Sequence, residues 1–106
     1  MNETDYFQKI EAAFRWLEDA VDRWNTEHDL SIECQRNGPV LEVELESGQK
    51  IIVNAQAPTQ QLWLASSRGA HHFVWRDSRW EDTRGQGLFE PILLAHASAL
   101  SGLDLG

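Results

Sequence analysis

Several features that would place a chain in a familiar functional class are missing from this sequence. Its one cysteine, Cys34, cannot form a disulfide within the chain, so a reducing cytoplasm is the expected compartment. No apolar run approaches the roughly 20 residues that cross a bilayer, and the acidic start Met-Asn-Glu-Thr-Asp is unlike a signal peptide. Phosphate-binding loops, zinc-ligand spacings and nucleophile elbows are absent too, so we expect no enzyme.

Basic residues are scarce. Nine lysines and arginines face seventeen aspartates and glutamates, which gives a formal net charge of −8. This balance argues against nucleic acid and anionic membranes as partners, because both need a basic surface. The whole excess lies in residues 1–46, with twelve acids and four bases, whereas residues 47–106 contain five of each. Such segregation predicts a surface that attracts cations or a basic partner.

Apolar periodicity predicts a helix followed by strands. Apolar residues at positions 10, 14, 17, 21 and 24 recur at helical spacing, which predicts a helix from about Glu3 to Trp24 and a polar break over residues 25–29. Alternating apolar and polar residues then predict six strands, around residues 30–35, 41–46, 50–53, 61–65, 71–76 and 80. After Gly85-Gln86-Gly87, a second helix is predicted from near Pro91 to Gly102.

These elements predict one domain over residues 1–106 with a single core. The expected fold class is α+β. The most economical packing is a two-layer α/β sandwich, with the N- and C-terminal helices on one face of a five- to six-stranded antiparallel sheet. The other face of the sheet is then open to solvent.

Carboxylates cluster on the first predicted helix and just after it. Glu11, Glu18 and Asp22 are seven and four residues apart and share one outward face, with Asp19 beside them. Acids at positions 29 and 33 could extend this band to the first strand. Carboxylates on a solvated helix without a histidine favour hard cations such as Fe²⁺, Fe³⁺, Mn²⁺ and Ca²⁺, bound weakly with water retained. The alternative is a solvated face that serves only solubility.

Trp63 is the second candidate for a functional residue. Two leucines flank it in the strand Gln61–Ala65, so if the leucines face the helices, Trp63 faces solvent as a natural anchor for a partner. On the next strand, placing Phe73 and Trp75 inside puts His72 and Arg76 on the same face as Trp63. The alternative is an inverted alternation, in which Trp63 caps an edge of the core.

The segment that joins the third and fourth predicted strands resembles a motif of the frataxin family. It reads Asn54-Ala55-Gln56-Ala57-Pro58-Thr59-Gln60-Gln61-Leu62-Trp63-Leu64-Ala65-Ser66 and is similar to that family's pattern Asn-x-Gln-x-Pro-x-x-Gln-apolar-Trp-apolar-Ala. Other residues at positions typical of bacterial members are Glu18, Asp19, Asp22, Trp24, Gly69, His72, Phe73, Trp80 and Arg84. The resemblance is to the bacterial branch and covers essentially the whole chain.

This resemblance implies an iron-binding regulator of iron–sulfur cluster assembly. Iron, as Fe²⁺ or Fe³⁺, would bind weakly on an acidic ridge, and no organic cofactor is implied. The ridge would also dock on a basic surface of the pyridoxal-phosphate cysteine desulfurase, while the sheet face around Trp63 would contact the same assembly, including the scaffold protein. Bacterial members resemble regulators that slow cluster formation in response to iron, and the chain is expected to be a monomer without iron.

Carried onto this chain, the acidic ridge with the implied iron ligands is Glu3, Asp5, Glu11, Glu18, Asp19, Asp22, Asp29 and Glu33. The implied partner contacts are Glu18, Asp19 and Asp22 on the ridge and Asn54, Gln56, Gln61, Trp63 and His72 on the sheet. Two alternatives stay open. One is a protein-interaction module whose acids act without metal, and the other is a ferroxidase that oxidises Fe²⁺ with O₂.

Overall fold

The computed structural model describes all 106 residues, Met1–Gly106, and contains two α-helices and six β-strands. In chain order the elements are α1 (Glu3–His28), β1 (Glu33–Asn37), β2 (Val40–Glu44), β3 (Lys50–Gln56), β4 (Gln61–Ser66), β5 (Gly69–Arg76), β6 (Arg79–Asp82) and α2 (Phe89–Ser101). A short 3-10 turn, Ala57–Thr59, joins β3 to β4. Neither helix is both long and apolar enough to cross a membrane.

The six strands form one antiparallel sheet in which each strand pairs with the next along the chain. Both helices pack on the same face of this sheet. Phe89 at the start of α2 contacts Phe73 of β5 at 5.4 Å between ring centroids and Trp16 of α1 at 5.9 Å. The single core lies between the helices and the inner face of the sheet. The predicted α+β architecture, with one open sheet face, is confirmed.

Helix α1 forms because its apolar side chains fall on one stripe that the sheet buries. The stripe includes Tyr6, Ile10, Leu17, Val21 and Trp24, all buried. The side-chain oxygen of Asn2 caps the first turn by accepting a hydrogen bond of 2.7 Å from the backbone N–H of Asp5.

The prediction that α1 ends at Trp24 is wrong, because the helix continues to His28. The polar residues after Trp24 stay helical and hold the following loop through Asn25. The backbone C=O of Asn25 accepts from the N–H of Leu30 at 3.1 Å. Its side-chain amide accepts from the N–H of Ile32 at 2.8 Å and donates to the C=O of Ile32 at 2.9 Å. Asp29, at φ 53°, ends the helix. The extension also brings His28 onto a helix on which no histidine was expected.

The same contact explains why β1 begins at Glu33 and not near residue 30. The backbone groups of Ile32 are bonded to Asn25, and the N–H of Ser31 donates to Glu46 Oε1 at 2.6 Å, so neither residue pairs with β2. Ile32 is nevertheless buried in the core. The apolar alternation predicted burial correctly here, and side-chain hydrogen bonds decided the strand boundary.

The C-terminal residues after α2 are fastened to α1. Helix α2 begins at Phe89, with Pro91 in its first turn, and ends at Ser101, followed by the predicted stop at Gly102. The indole Nε1 of Trp24 then donates to the backbone oxygen of Leu105 at 3.0 Å, inside the core. Leu105 is itself buried, so the residues after α2 cover the core at the end of α1 where Trp24 lies.

A polar cluster is buried where α2 packs against the sheet. His96 is only 6% exposed, its Nδ1 lies 2.6 Å from the hydroxyl oxygen of Ser66, and its ring is 5.3 Å from the ring of His71. The Nδ1 of His71 lies 3.9 Å from the buried carboxylate of Asp82. Burial lowers the pKa of His96 below its ordinary value, and the nearby His71 and Arg68 lower it further.

We expect this cluster to weaken the fold on acidification. The unfolded chain protonates His96 near pH 6.5, whereas the folded protein resists that proton, so this group's contribution to stability is present above pH 6.5 and is lost as the pH falls through the lowered pKa. One group gives at most about 1.4 kcal/mol per pH unit. Urea unfolding at pH 7.5 and 5.5 should show a smaller loss for His96→Gln than for wild type. His28→Gln, at an exposed position, is the matched control. Equal losses in all three proteins would contradict the assignment.

Candidate functional site

Six of the eight acids in the predicted ridge are exposed, and none of these six forms an ion pair. They are Glu3, Asp5, Asp19, Asp22, Asp29 and Glu33. With no base beside them, these carboxylates create a negative potential at the surface of this part of the protein.

The other two acids, Glu11 and Glu18, are bridged by Arg36 of β1. Its Nη1 lies 2.8 Å from Glu11 Oε1 and its Nη2 lies 2.8 Å from Glu18 Oε1. The guanidinium also lies over the ring of Phe14, 5.2 Å from the centroid, and Arg15 approaches Glu11 at 3.6 Å. This side of α1 was predicted to face only solvent. It instead packs against β1, the edge strand of the sheet.

The bridge changes the protonation of the groups around it. The hydrogen bond from Arg36 lowers the pKa of the Glu11 carboxyl, and the two carboxylates raise the pKa of Arg36. Cys34, two residues earlier on the same side of β1, has its pKa raised to about 11, first by burial and then by the charges of Glu18 and Asp22. This thiol therefore stays protonated near neutral pH, so it is a poor nucleophile and a poor metal ligand.

The acids of the ridge do not form one continuous band. Asp5 and Asp22 are separated by about 26 Å along the helix axis. Asp29 lies at the helix end, and Glu33 pairs with Glu44 across the sheet, so Glu33 lies on the face away from α1. No three His, Cys, Asp or Glu side chains converge as a group that could hold a metal ion. A cation on these acids would keep most of its water, and the choice of individual ligands stays a prediction.

The open face of the sheet presents the stack formed by Trp63 and His72. The two residues are directly opposite on β4 and β5, and their rings are 4.1 Å apart at an interplanar angle of 9°. The indole Nε1 of Trp63 donates to Gln61 Oε1 at 2.8 Å, which fixes the ring. The predicted outward orientation of Trp63 is confirmed, because Leu62 and Leu64 on either side are buried.

The register of the sheet brings the five predicted sheet contacts together. Asn54, Trp63 and His72 form one row across β3, β4 and β5. Gln56 and Gln61 form the neighbouring row, two residues away on the same face. The structure thus assembles these side chains into one polar and aromatic surface. Their role as partner contacts stays a prediction.

Arg36 is the residue of this region that sequence reasoning missed. A signal was available, because the alternation in the first predicted strand puts residues 30, 32 and 34 on one side, and residue 36, two positions further on, must share that side. What the sequence did not reveal is that α1 presents Glu11 and Glu18 at that point, 25 and 18 residues away in the chain.

Comparison with known proteins identifies the family. The family model for a frataxin-like domain matches residues 1–102. The chain belongs to the frataxin family. It is 39% identical over 105 residues to the iron-sulfur cluster assembly protein CyaY of Bordetella avium, which covers 99% of this chain and 96% of that protein. The predicted family resemblance is therefore confirmed.

Solved frataxin structures share the fold. The frataxin from Psychromonas ingrahamii superposes with a TM-score of 0.76 at 28% identity, covering 100% of this chain and 99% of the other. A trimeric frataxin from the yeast Saccharomyces cerevisiae, described as complexed with ferrous iron, gives a TM-score of 0.68 at 22% identity and covers 86% of this chain and 82% of the other. At that identity, the yeast protein supports the frataxin fold alone.

We expect Arg36→Gln to release Glu11 and weaken the attachment of β1 to α1. The free energy of unfolding should fall by about 1 kcal/mol at low salt and by less at high salt. Because the Glu11 pKa is depressed in the folded protein, this difference should be present above pH 4.3 and be lost as the pH falls through the lowered pKa. Chemical unfolding at pH 7 and pH 3 measures it. Arg23→Gln removes the same charge from an exposed arginine that forms no ion pair, and a loss as large in that control would rule out the bridge as the cause.

Proposed function

We propose that this frataxin-family protein serves iron–sulfur cluster assembly as a regulator that carries iron and docks on the assembly complex. Iron would bind loosely to the exposed acids of the ridge, and the ridge would dock on a basic surface of the cysteine desulfurase. The open sheet face around Trp63 would contact the same complex, including the scaffold protein. The cytoplasm is the compartment that fits these roles. No residue is assigned a catalytic role.

The family relationship supports the pathway. A relative that is 39% identical and matched over nearly its full length is named an iron-sulfur cluster assembly protein. The frataxin-like domain covers residues 1–102, so this similarity extends across both the ridge and the sheet face.

The observation that carries the docking role is that six of the eight ridge acids have no basic partner within the chain. Asp19 and Asp22 have no lysine, arginine or histidine within ion-pair distance, and the only bases that reach acids of α1 are Arg15 and Arg36, at Glu11 and Glu18. Adjacent like charges on a helix destabilise it by a few tenths of a kcal/mol per pair, so a basic partner or a cation that binds them offsets a cost built into the chain.

The iron-carrying role is supported by the type and exposure of the ligands. Exposed carboxylates are hard oxygen donors that suit Fe²⁺ and Fe³⁺. Since no closed group of ligands is present, iron here is a cargo that exchanges readily and not a resident cofactor. Ferrous iron is also the ion named in the description of a yeast frataxin that shares this fold.

The Trp63 and His72 stack supports the second contact. The indole is fixed both by stacking on His72 and by its hydrogen bond to Gln61, so little conformational entropy remains to be lost when a partner packs against it. A partly exposed, preorganised tryptophan surrounded by amide side chains is typical of the centre of an interface.

The docking role predicts the effect of reversing charge on the ridge. Replacing Glu18, Asp19 and Asp22 together by lysine should weaken binding to the cysteine desulfurase by at least about 100-fold at low salt, with a smaller effect at high salt. Calorimetry or biolayer interferometry at two ionic strengths measures this change. The control variant replaces Asp77, Glu90 and Asp104, three exposed acids outside the ridge, by lysine. Equal losses in both variants would show that only overall charge matters.

The same binding experiment can test the contact of the sheet face separately from that of the acidic ridge. Trp63→Ala removes an interface anchor without changing charge, so it should reduce affinity for the assembled desulfurase and scaffold complex by about 30-fold at every salt concentration. Circular dichroism confirms that the variant is folded. Unchanged affinity would remove the sheet face from the interface while leaving the ridge assignment intact.

Iron binding predicts a local paramagnetic effect. When Fe²⁺ is titrated anaerobically into ¹⁵N-labelled protein, the amide signals of Glu18, Asp19 and Asp22 should broaden first. Asp19→Asn with Asp22→Asn should weaken this effect about tenfold, whereas Asp77→Asn with Asp104→Asn should not. Broadening that is uniform over all exposed acids would contradict a preferred site.

The second candidate is a protein-interaction module whose acids act without metal. It is favoured by the lack of convergent ligands and by the bridge that already occupies Glu11 and Glu18. An assembly assay with iron fixed by a chelator separates the two functions. Regulation that persists unchanged after the free iron level is lowered supports the module and excludes the iron-dependent regulator.

A further inference from the structure

A groove of about 390 Å³ opens between α1, the β5–β6 hairpin and the start of α2. It lies beside β6, the strand at the opposite end of the sheet from β1 and Arg36. Its walls include Ala12, Trp75, Trp80 and Phe89, so most of the lining is apolar and aromatic. The volume falls within the range of roughly 300–1,000 Å³ that is usual for small-molecule sites.

One wall of this groove contains a polar atom without a partner. Trp80 is only 6% exposed, and its indole Nε1 is the one buried side-chain nitrogen or oxygen of the chain that makes no hydrogen bond. The other fixed indoles differ, because Trp24 donates to Leu105 and Trp63 donates to Gln61. A buried donor without an acceptor costs free energy, which an incoming acceptor would recover.

The charges at the groove are unusual for so acidic a chain. Lys9 and Arg79 both line it, against one carboxylate, Glu90. The ammonium of Lys9 lies 5.2 Å from the ring centroid of Trp75 and forms no ion pair, so it is available to an anion. Arg79 is mostly exposed and makes only a loose contact of 3.5 Å with Glu81.

We propose that this groove binds a small aromatic carboxylate. The ring of the ligand packs among the aromatic walls, where offset and edge-to-face contacts are favourable. Its carboxylate faces the positive charges of Lys9 and Arg79 and accepts a hydrogen bond from Trp80 Nε1. A neutral aromatic compound would pack against the aromatic lining but would not pair with the positive charges. A simple inorganic anion would pair with the charges but would leave the aromatic lining uncovered. Only a ligand with both an aromatic ring and a carboxylate matches the lining, the charges and the unpaired Trp80 Nε1.

Binding requires a local side-chain movement. Trp80 Nε1 is sealed from solvent by its neighbours, so an acceptor reaches it only when one of them shifts. Among the side chains that line the groove, Lys9 is the best suited to move, since it is long, unpaired and only partly buried. Its ammonium can exchange the contact with the Trp75 ring for a direct contact with the carboxylate.

Titration with indole-3-acetate, followed by ¹H–¹⁵N NMR, tests the site. The five tryptophans give five indole N–H signals, and Trp80→Phe identifies the one that belongs to Trp80. We expect the Trp80 and Trp75 indole signals to shift saturably, with a dissociation constant of about 1 mM or tighter for a ligand of this size. The uncharged analogue indole-3-acetamide should bind about threefold to tenfold more weakly.

Two charge variants should change the affinity in opposite directions. Lys9→Gln should weaken binding of the acetate by about threefold, and Glu90→Gln should tighten it by a similar factor. Arg23→Gln is the matched control, because it removes one positive charge from an exposed position about 21 Å along the same helix. Its affinity should equal that of wild type.

Three results would each overturn the assignment. The first is a Trp80 indole signal that does not move while other signals do. The second is equal affinity for the acetate and the acetamide, and the third is an equal loss of affinity in Lys9→Gln and Arg23→Gln. Folding of each variant is checked by the unchanged positions of the Trp24 and Trp63 indole signals.

Discussion

Burial of one stripe of α1 against the inner face of the sheet is the interaction on which the other features of the molecule depend. Tyr6, Leu17 and Trp24 are each at most 1% exposed, and burying side chains of this size contributes roughly 1.5–3 kcal/mol apiece. The sheet is a simple antiparallel meander, so it has only one apolar face to offer, and α2 must pack there too, beside α1. The opposite face is left open, which is why Trp63 and His72 can form an accessible surface at all.

The same packing decides how the acidic charge is distributed. With one side of α1 buried, its acids are confined to the remaining surface, and one flank of that surface meets the edge strand β1. Arg36 pairs with the acids that lie on this flank, Glu11 and Glu18, while Asp19 and Asp22 stay unpaired. The ridge is therefore divided into a part that holds β1 against the helix and a part that is available to a cation or a basic partner. Because all four residues are carboxylic acids with similar ordinary pKa values, their positions relative to Arg36 decide which are paired.

Buried polar side chains mark the places where the interior is not simply apolar. His96 is satisfied by Ser66 but is held neutral among other polar and charged groups, so its burial links stability to pH. Trp80 is buried without any acceptor, and it borders the groove at the far edge of the sheet. Each arises where α2 meets the strands or α1, at contacts that no local sequence pattern encodes.

The sequence by itself determined the class of fold, the order of the elements and the face on which Trp63 lies, because helical and strand periodicities are local and set which side chains share a side. It misplaced the end of α1 and the start of β1, since both boundaries depend on the hydrogen bonds that Asn25 makes to Leu30 and Ile32, which form only when the loop folds back on the helix. It also could not show that Arg36 occupies part of the ridge. Only the tertiary structure decided which acids are paired and which are free, because pairing depends on how separate elements dock, and docking is set by the whole core.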